Sequence, residues 1–244
     1  MSLNQEQKST AEQFTNFFEN SNLNPQYDYA ENLDDGRGIT AGRCGFTTGT
    51  DDAHLVVKKY TEIVPDNPLA KYLPELNRLD HVDDDEKDDT DNLEGFEDAW
   101  QDAAQDKRFR QVQDDMNDEL YFQPSQQLAD EFGLNLPLSR AALYDACIQH
   151  GIGDNADSLD SMLKRTKKSL DGTVNDGVDE VVWLAKFLEV RKSVLLNPDD
   201  EDSQEEWSES AERVDVYSNL LEQGNTDLTL PIRIKCFGDT ATIS

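Results

Sequence analysis

Glu19 and Asp35 are the two residues from which the chain's chemistry can be built. They stand sixteen positions apart, Glu19 in the last turn of an amphipathic helix pattern and Asp35 in an Asp-Gly turn. Two carboxyl groups in different settings can act as acid and base across a polysaccharide bond, one protonating the leaving oxygen and the other activating water. The carbonyl end of a helix disfavours an ionised side chain, and Phe14, Phe17 and Phe18 would add desolvation if Glu19 turned toward them. Both effects suit a general acid that must stay protonated. Arg37, two residues beyond Asp35, supplies the positive charge that keeps a base ionised, and Thr40 could hold the water it attacks. Taken singly, each acid also fits a plainer role: Glu19 as a solvated helix-end residue, Asp35 as the acid of an ordinary hairpin turn.

The elements that must position these groups follow from periodicity. Ser9-Thr10-Ala11-Glu12 has the form of a capping box, and Ala11, Phe14, Phe17 and Phe18 then recur at helical spacing. An Asn/Pro break, two polar-aromatic runs and a glycine-spaced segment follow, too irregular for helix, with Gly36 and Gly38 allowing close backbone approach. Thr50 or Asp51 caps a helix to about Tyr60, with Leu55 and Val56 inward and His54 on the surface. Asn67-Pro68 restarts a helix carrying Leu69, Tyr72, Leu73 and Leu76. A long helix is predicted over 93–120, delivering Tyr121-Phe122. Ser139 caps the next, which buries Leu143, Ala146 and Cys147, contains Tyr144-Asp145 and stops at His150-Gly151. A buried Asp145 must be paired, and Arg191 and Arg213 on later helices are the candidates. A basic helix spans 157–169, and a core helix 176–196 presents Val178, Val181, Val182, Ala185, Leu188 and Leu195. Another helix runs to about Leu221, and the alternation of Leu228, Leu230, Ile232 and Ile234 reads as extended chain packed on the body.

Composition narrows the class. At 244 residues the chain is long enough for a real core, and one domain over 1–244 is expected. The net charge of −30 and hydrophobic content of 36% would suit disorder, but ten Phe, seven Tyr and three Trp at helical spacing are core-forming residues. The acidic excess argues against nucleic acid and anionic membrane surfaces and favours a cationic partner. Most of that charge is assigned to solubility or high-salt tolerance. Two acidic loops carry much of it, about 80–91 and about 199–206; the first lacks the glycine placement and terminal glutamate of a calcium-binding EF-hand loop. Both loops are expected to be dispensable for chemistry. Cys44, Cys147 and Cys236 are odd in number and read as free thiols, and none has metal-ligand spacing with His54, His81 or His150. No metal or cofactor is expected. No apolar run approaches a membrane span.

The strings Glu19-Asn20-Ser21, Tyr27-Asp28-Tyr29, Glu31, Asp35-Gly36-Arg37-Gly38-Ile39-Thr40, Gly42, Gly45-Phe46, Gly49-Thr50 and Asp52 resemble the N-terminal signature of glycoside hydrolase family 46, the chitosanases. The similarity continues in order through Leu69–Pro74, Tyr121-Phe122, Tyr144-Asp145, His150-Gly151, Phe187-Leu188, Arg191-Lys192, Arg213–Asp215 and Gly224–Pro231. The resemblance implies a mainly α (α+β), lysozyme-like fold with two lobes, a small β-sheet in one of them and a substrate cleft between them. It also implies internal, inverting hydrolysis of the β-1,4 bonds of chitosan, with Glu19 as general acid, Asp35 as general base and Thr40 orienting the water. Asp145, Arg191 and Arg213 match a supporting ion network. Asn20, Tyr29, Glu31, Arg37, Asp52, Tyr121 and His150 match positions in or beside the substrate cleft. The acidic loops depart from the family pattern.

The expected protein is therefore a monomeric, secreted enzyme acting on chitosan and glucosamine oligosaccharides. The alternatives are a lysozyme-like hydrolase of another glycan, disfavoured by the acidic cleft residues, and a non-catalytic acidic glycan-binding protein, disfavoured by the presence of both carboxylates.

Overall fold

The structure, a computed structural model, describes residues 2–83, 86–199 and 204–244. Asp84 and Asp85 of the first acidic loop and Asp200, Glu201 and Asp202 of the second lie outside the described residues, as do the side chains of Glu205 and Glu206. The chain divides into two compact units, Met1–Leu23 with Tyr121–Ser244, and Asn24–Leu120. The fold is mainly helical.

The first unit is helical but for one hairpin. It contains α1 (Gln5–Asn20), then α6 (Gln123–Phe132), α7 (Pro137–His150), α8 (Leu159–Leu170), α9 (Glu180–Leu196), α10 (Gln204–Ser210) and α11 (Glu212–Glu222). The hairpin β4 (Ile232–Cys236) and β5 (Asp239–Ile243) pairs Ile234 with Ala241 and alternates buried with exposed residues along β4. The alternation at Ile232 and Ile234 thus marks a strand with its own partner. α7 is buried from Leu138 to Cys147 on every face, so the other helices pack around it. Pro137 opens it, and the Glu180 carboxylate accepts the N–H groups of Asn135 and Leu136 just before it, at 2.9 and 2.8 Å. Ser139, expected as the cap, is fully buried inside the first turn.

The second unit holds a three-stranded antiparallel sheet, β1 (Ala30–Asn32), β2 (Ile39–Ala41) and β3 (Phe46–Thr47), with α2 (Asp52–Ile63), α3 (Leu73–Leu79), α4 (Phe96–Ala103) and α5 (Lys107–Asn117). A 3₁₀ turn, Ala70–Tyr72, precedes α3, so the helix begins later than Asn67-Pro68 suggests. Trp100 is the hub of the core, edge-on to Phe109 at 4.9 Å between ring centres and 5.8 Å from Phe96. Its Nε1 donates to the Tyr27 carbonyl, which also accepts from Gln113 Nε2, both at 3.0 Å, so the stretch before β1 is moored to the helices. Gly42 sits at φ +75°, where a Cβ would fall 2.5 Å from Gln113 Oε1 and 2.8 Å from the Trp100 ring; only glycine lets the β2 end lie there.

Four helix readings are corrected. The capping box of α1 is Asn4 with Gln7, five residues before Ser9, and Thr10 is buried within the helix. The single helix over 93–120 is two, because Asp106 accepts from Arg108 N and starts a new helix that turns Phe109 back onto Trp100; a π-helical turn at Asp118–Phe122 follows. In α9, Asp179 caps the helix and sets its phase, so Trp183, Leu184, Phe187 and Leu188 face inward while Val181, Val182 and Ala185 are exposed. In α2, Leu55 is exposed and His54, expected on the surface, is buried. Cys44, Cys147 and Cys236 are buried and form no disulfide among the described residues, and burial pushes the last two up to about 12.

Candidate active-site residues

Glu19 belongs to the first unit and is placed by α1, whose apolar face (Phe14, Phe17, Phe18) is buried and leaves the last turn at the surface. Its side chain does not turn to the phenylalanines. It turns to Arg213 of α11, whose Nη2 donates to Glu19 Oε1 at 2.7 Å. The same Nη2 donates to Asp145 Oδ1 at 2.7 Å, and Arg191 Nη1 of α9 donates to Asp145 Oδ2 at 2.5 Å. Asp145 and Arg191 are 0% exposed, so these charges exist inside the protein only because each meets another. The Arg213 guanidinium also lies 5.1 Å over the Phe18 ring.

The two arginines share Asp145 yet shift oppositely. Burial pulls both down. Arg213 is nevertheless raised because Asp145 and Glu19 outweigh its burial, whereas for Arg191 burial wins over the pull of Asp145, with Arg213 adding to the lowering. We take both as permanently charged, since guanidinium stays protonated through any such shift.

Gln149 completes the network and was not singled out from the sequence. It lies one helical turn after Asp145 on α7; its Oε1 accepts from Arg191 Nη2 at 2.6 Å and its Nε2 donates to Ser210 Oγ at 2.7 Å. That i, i+4 spacing from the expected buried acid is the signal that could have found it. His150 stands behind the arginines, 7% exposed, accepting from Arg191 Nε at 3.4 Å and edge-on to Trp207 at 5.0 Å. Burial first, then Arg191 and Arg213, hold its pKa well below the ordinary value of 6.5, so it is a neutral acceptor. Asn20 is half-buried at the end of α1, and Tyr121 is half-buried against the first unit's core.

Asp35 belongs to the second unit and is held by its own turn. Arg37 N donates to Oδ1 at 3.0 Å, and Arg37 Nε and Nη2 donate to Oδ2 at 3.0 and 2.6 Å. Gly36 and Gly38 both take positive φ, so the turn needs the glycines it has. Thr40 on β2 pairs with Glu31 of β1 and Thr47 of β3, which puts the three side chains on one face of the sheet. The Thr40 hydroxyl is buried without a hydrogen-bond partner. A buried hydroxyl in that condition calls for a water or ligand. Tyr29 donates to Glu31 Oε2 at 3.2 Å, and burial, then Glu31, raise its pKa and keep it a phenol. Asp52 Oδ1 accepts from Thr47 N at 2.8 Å and Thr50 Oγ1 at 3.0 Å, fixing the start of α2 to the sheet. Among the described residues no group of three or more His, Cys, Asp or Glu side chains is placed to hold a metal ion.

Each unit thus assembles its own set: Glu19 with Asp145, Arg191, Arg213 and His150 in one, and Asp35 with Tyr29, Glu31, Arg37, Thr40 and Asp52 in the other. Known proteins show the same pattern of chain. The family model described as "Glycosyl hydrolase family 46" matches residues 13–232. A chitosanase of Bacillus subtilis (strain 168) is 51% identical over 233 residues, covering 96% of this chain and 83% of its own. A chitosanase of Streptomyces sp. (strain N174) is 35% identical, covering 97% and 82%. The solved structure of the Gynuella sunshinyii family 46 chitosanase in complex with chitotetraose superposes with a TM-score of 0.95 at 47% identity, covering 100% of this chain and 99% of that one. An E19A mutant of a Bacillus subtilis MY002 chitosanase, complexed with 6 GlcN, superposes at 0.94 and 48% identity over 100% of both chains. A family match over most of the chain and relatives of this identity leave one assignment: the chain belongs to glycosyl hydrolase family 46.

Proposed function

We propose that this protein is an endo-acting chitosanase that cleaves β-1,4 bonds of chitosan by single-displacement inversion. The observation that carries the substrate class is the 51% identity to a chitosanase over 96% of the chain. Glu19 gives its proton to the leaving glycosidic oxygen. Asp35, held in its turn by three hydrogen bonds from Arg37, takes a proton from a water that the Thr40 hydroxyl orients. The buried, unpartnered Oγ1 of Thr40 supports that role. Tyr29, Glu31 and Asp52 supply oxygen acceptors suited to the ammonium and hydroxyl groups of glucosamine units, and Asn20, Arg37 and Tyr121 contribute polar contacts. His150, buried behind the arginines, acts on substrate through them. Asp145, Arg191 and Arg213 hold Glu19 in place. The whole chain works as one catalytic domain and a monomer, outside the cell where its polymer is found.

Two measurements test this. Soluble chitosan should lose viscosity faster than reducing ends accumulate, while bacterial cell walls release no sugar; the reverse preference would make the chain a hydrolase of another glycan. NMR of the first products should show the α-anomer, since direct attack by water inverts a β-linkage. Initial release of the β-anomer would overturn the mechanism.

A further inference from the structure

The described parts of the first acidic loop, 80–83 and 86–91, are not detached surface features. The loop's beginning is pinned by His54, whose Nδ1 is hydrogen-bonded to Asp80 Oδ2, with the two side chains only 10% and 15% exposed. Its far end is pinned by Arg78, which bridges Glu75 and Asp89 at 2.7 and 2.5 Å. Between the pins, the Lys87 carbonyl lies against two glycines of the Asp35 hairpin. A Cβ on Gly49 would fall 2.8 Å from Lys87 O and 2.9 Å from Arg37 O; a Cβ on Gly38 would fall 3.7 Å from Lys87 O. Gly49 N donates to Arg37 O at 3.0 Å, and Arg37 is the residue that makes all three hydrogen bonds to Asp35. The chain of contact is short: His54, Asp80, Asp51 between the Asp80 and Lys87 charges, the Lys87 carbonyl, the Gly49–Arg37 backbone bridge, Asp35.

We infer that His54 is a positioning residue for the Asp35 base, acting through Asp80 and the Lys87 carbonyl. This rests on the reading of Asp35 as the base. The charges around His54 explain why a histidine is used. Asp51, at the start of α2 with φ +70°, lies beside Asp80; partial burial and the Asp80 charge raise its pKa, while Lys87 and His54 oppose the rise. The imidazole therefore donates to one of two neighbouring carboxyl groups and relieves their repulsion. Without it the Asp80 carboxylate faces Asp51 with the Lys87 charge to balance the pair, and the Lys87 carbonyl shifts on the glycines while Arg78 still holds Asp89.

The test uses the full chain with His54→Ala, His54→Asn and Gly49→Ala. Asparagine places its amide near the Nδ1 position and keeps the donor. With chitosan as substrate, His54→Ala should lower kcat about tenfold with KM within about twofold, less than the ~10²-fold that a 1 Å misplacement can cost. His54→Asn should restore most of it. Gly49→Ala pushes on the same carbonyl, so the double variant with His54→Ala should be no worse than the poorer single one, the sign of a shared path. Amide exchange of Gly49 should quicken in His54→Ala and recover in His54→Asn. That readout needs no substrate. Absence of chitosan cleavage by the unaltered chain would sink the proposed function while leaving the exchange result standing. Unchanged Gly49 exchange in folded His54→Ala, or strictly additive losses in the double variant, would overturn the positioning role. Asp88→Asn, an exposed charge change beside Lys87, is the control and should change neither readout.

Discussion

The two candidate catalytic carboxylates are held by opposite means. Glu19 hangs from Arg213, 194 residues away in sequence, and Arg213 is fixed by a carboxylate that no water reaches. Asp35 is held by a residue two positions along, in a turn where Arg37 is half-exposed. The first arrangement is tied to the stability of its unit, because the charges that aim Glu19 are the charges whose burial must be compensated. The second is nearly free of that debt: its hydrogen bonds are local and solvent-facing, and altering them should change chemistry more than folding.

That contrast can be broken by experiment. The largest effect is expected from Asp145→Ala, which leaves two buried guanidiniums without their shared partner and should cost about 3–5 kcal/mol in chemical denaturation. A loss under about 1 kcal/mol would mean the network is wet, and the contrast with the Asp35 turn would fall. Glu19→Gln comes next. It should keep the fold and chitosan binding but reduce turnover by about 10²-fold, near 2.7 kcal/mol of barrier. Near-normal turnover in the folded variant would remove Glu19 from the mechanism. Arg37→Ala sharpens the other side: stability should stay within about 1 kcal/mol, since the pair is solvent-screened, while kcat falls about tenfold. A stability loss as deep as that of Asp145→Ala would show the turn to be structural after all.

The smallest effect is a pH slope confined to the Glu19 unit. The folded-state pKa of His150 lies below 6.5, so the unfolded chain takes up a proton that the folded chain refuses. Its stability contribution is complete above about pH 6.5 and falls as pH drops, by about 1 kcal/mol between pH 6.5 and 5.5 for one such group. Denaturant titrations across that range should show the slope, and His150→Gln, which keeps an acceptor for Arg191 without titrating, should flatten it. An unchanged slope in His150→Gln would place its origin elsewhere.

How much of this was legible in the sequence follows the same division. The Asp35 turn could be read residue by residue because turn chemistry is local: Asp-Gly, the paired glycines and an arginine two positions on describe the geometry the structure has, whereas Tyr29, Glu31 and Asp52 came only with the family resemblance. The family resemblance pointed to Arg191 and Arg213 around Asp145, in keeping with the rule that a buried acid must be paired. It did not reveal that Arg213 also takes Glu19, because nothing local links residues 19 and 213. The helix-end argument therefore aimed Glu19 at the phenylalanines, where the structure aims it at a cation. The same blindness put His54 on the surface, since its partner Asp80 comes from the loop after α3. α9 shows a different limit. Its apolar residues, among them Val181, Val182, Trp183, Leu184 and Ala185 in succession, are spread round the helix, so periodicity could not choose a face, and the cap at Asp179 and the fit of Trp183 against its neighbours set the phase.

The three buried thiols have a consequence for watching these units move. Cys147 sits on α7 and Cys236 on β4, while Cys44 lies between β2 and β3 with its Sγ donating to Asn117 Oδ1 at 3.1 Å. A thiol reacts as its thiolate and only when exposed, so none should be alkylated in the folded protein at neutral pH. Each becomes available when its own surroundings open. The chain thus carries its own set of clocks, one for the unit of Asp35 and two for the unit of Glu19. The order in which the three are labelled in mild denaturant will report which half of the machinery comes apart first.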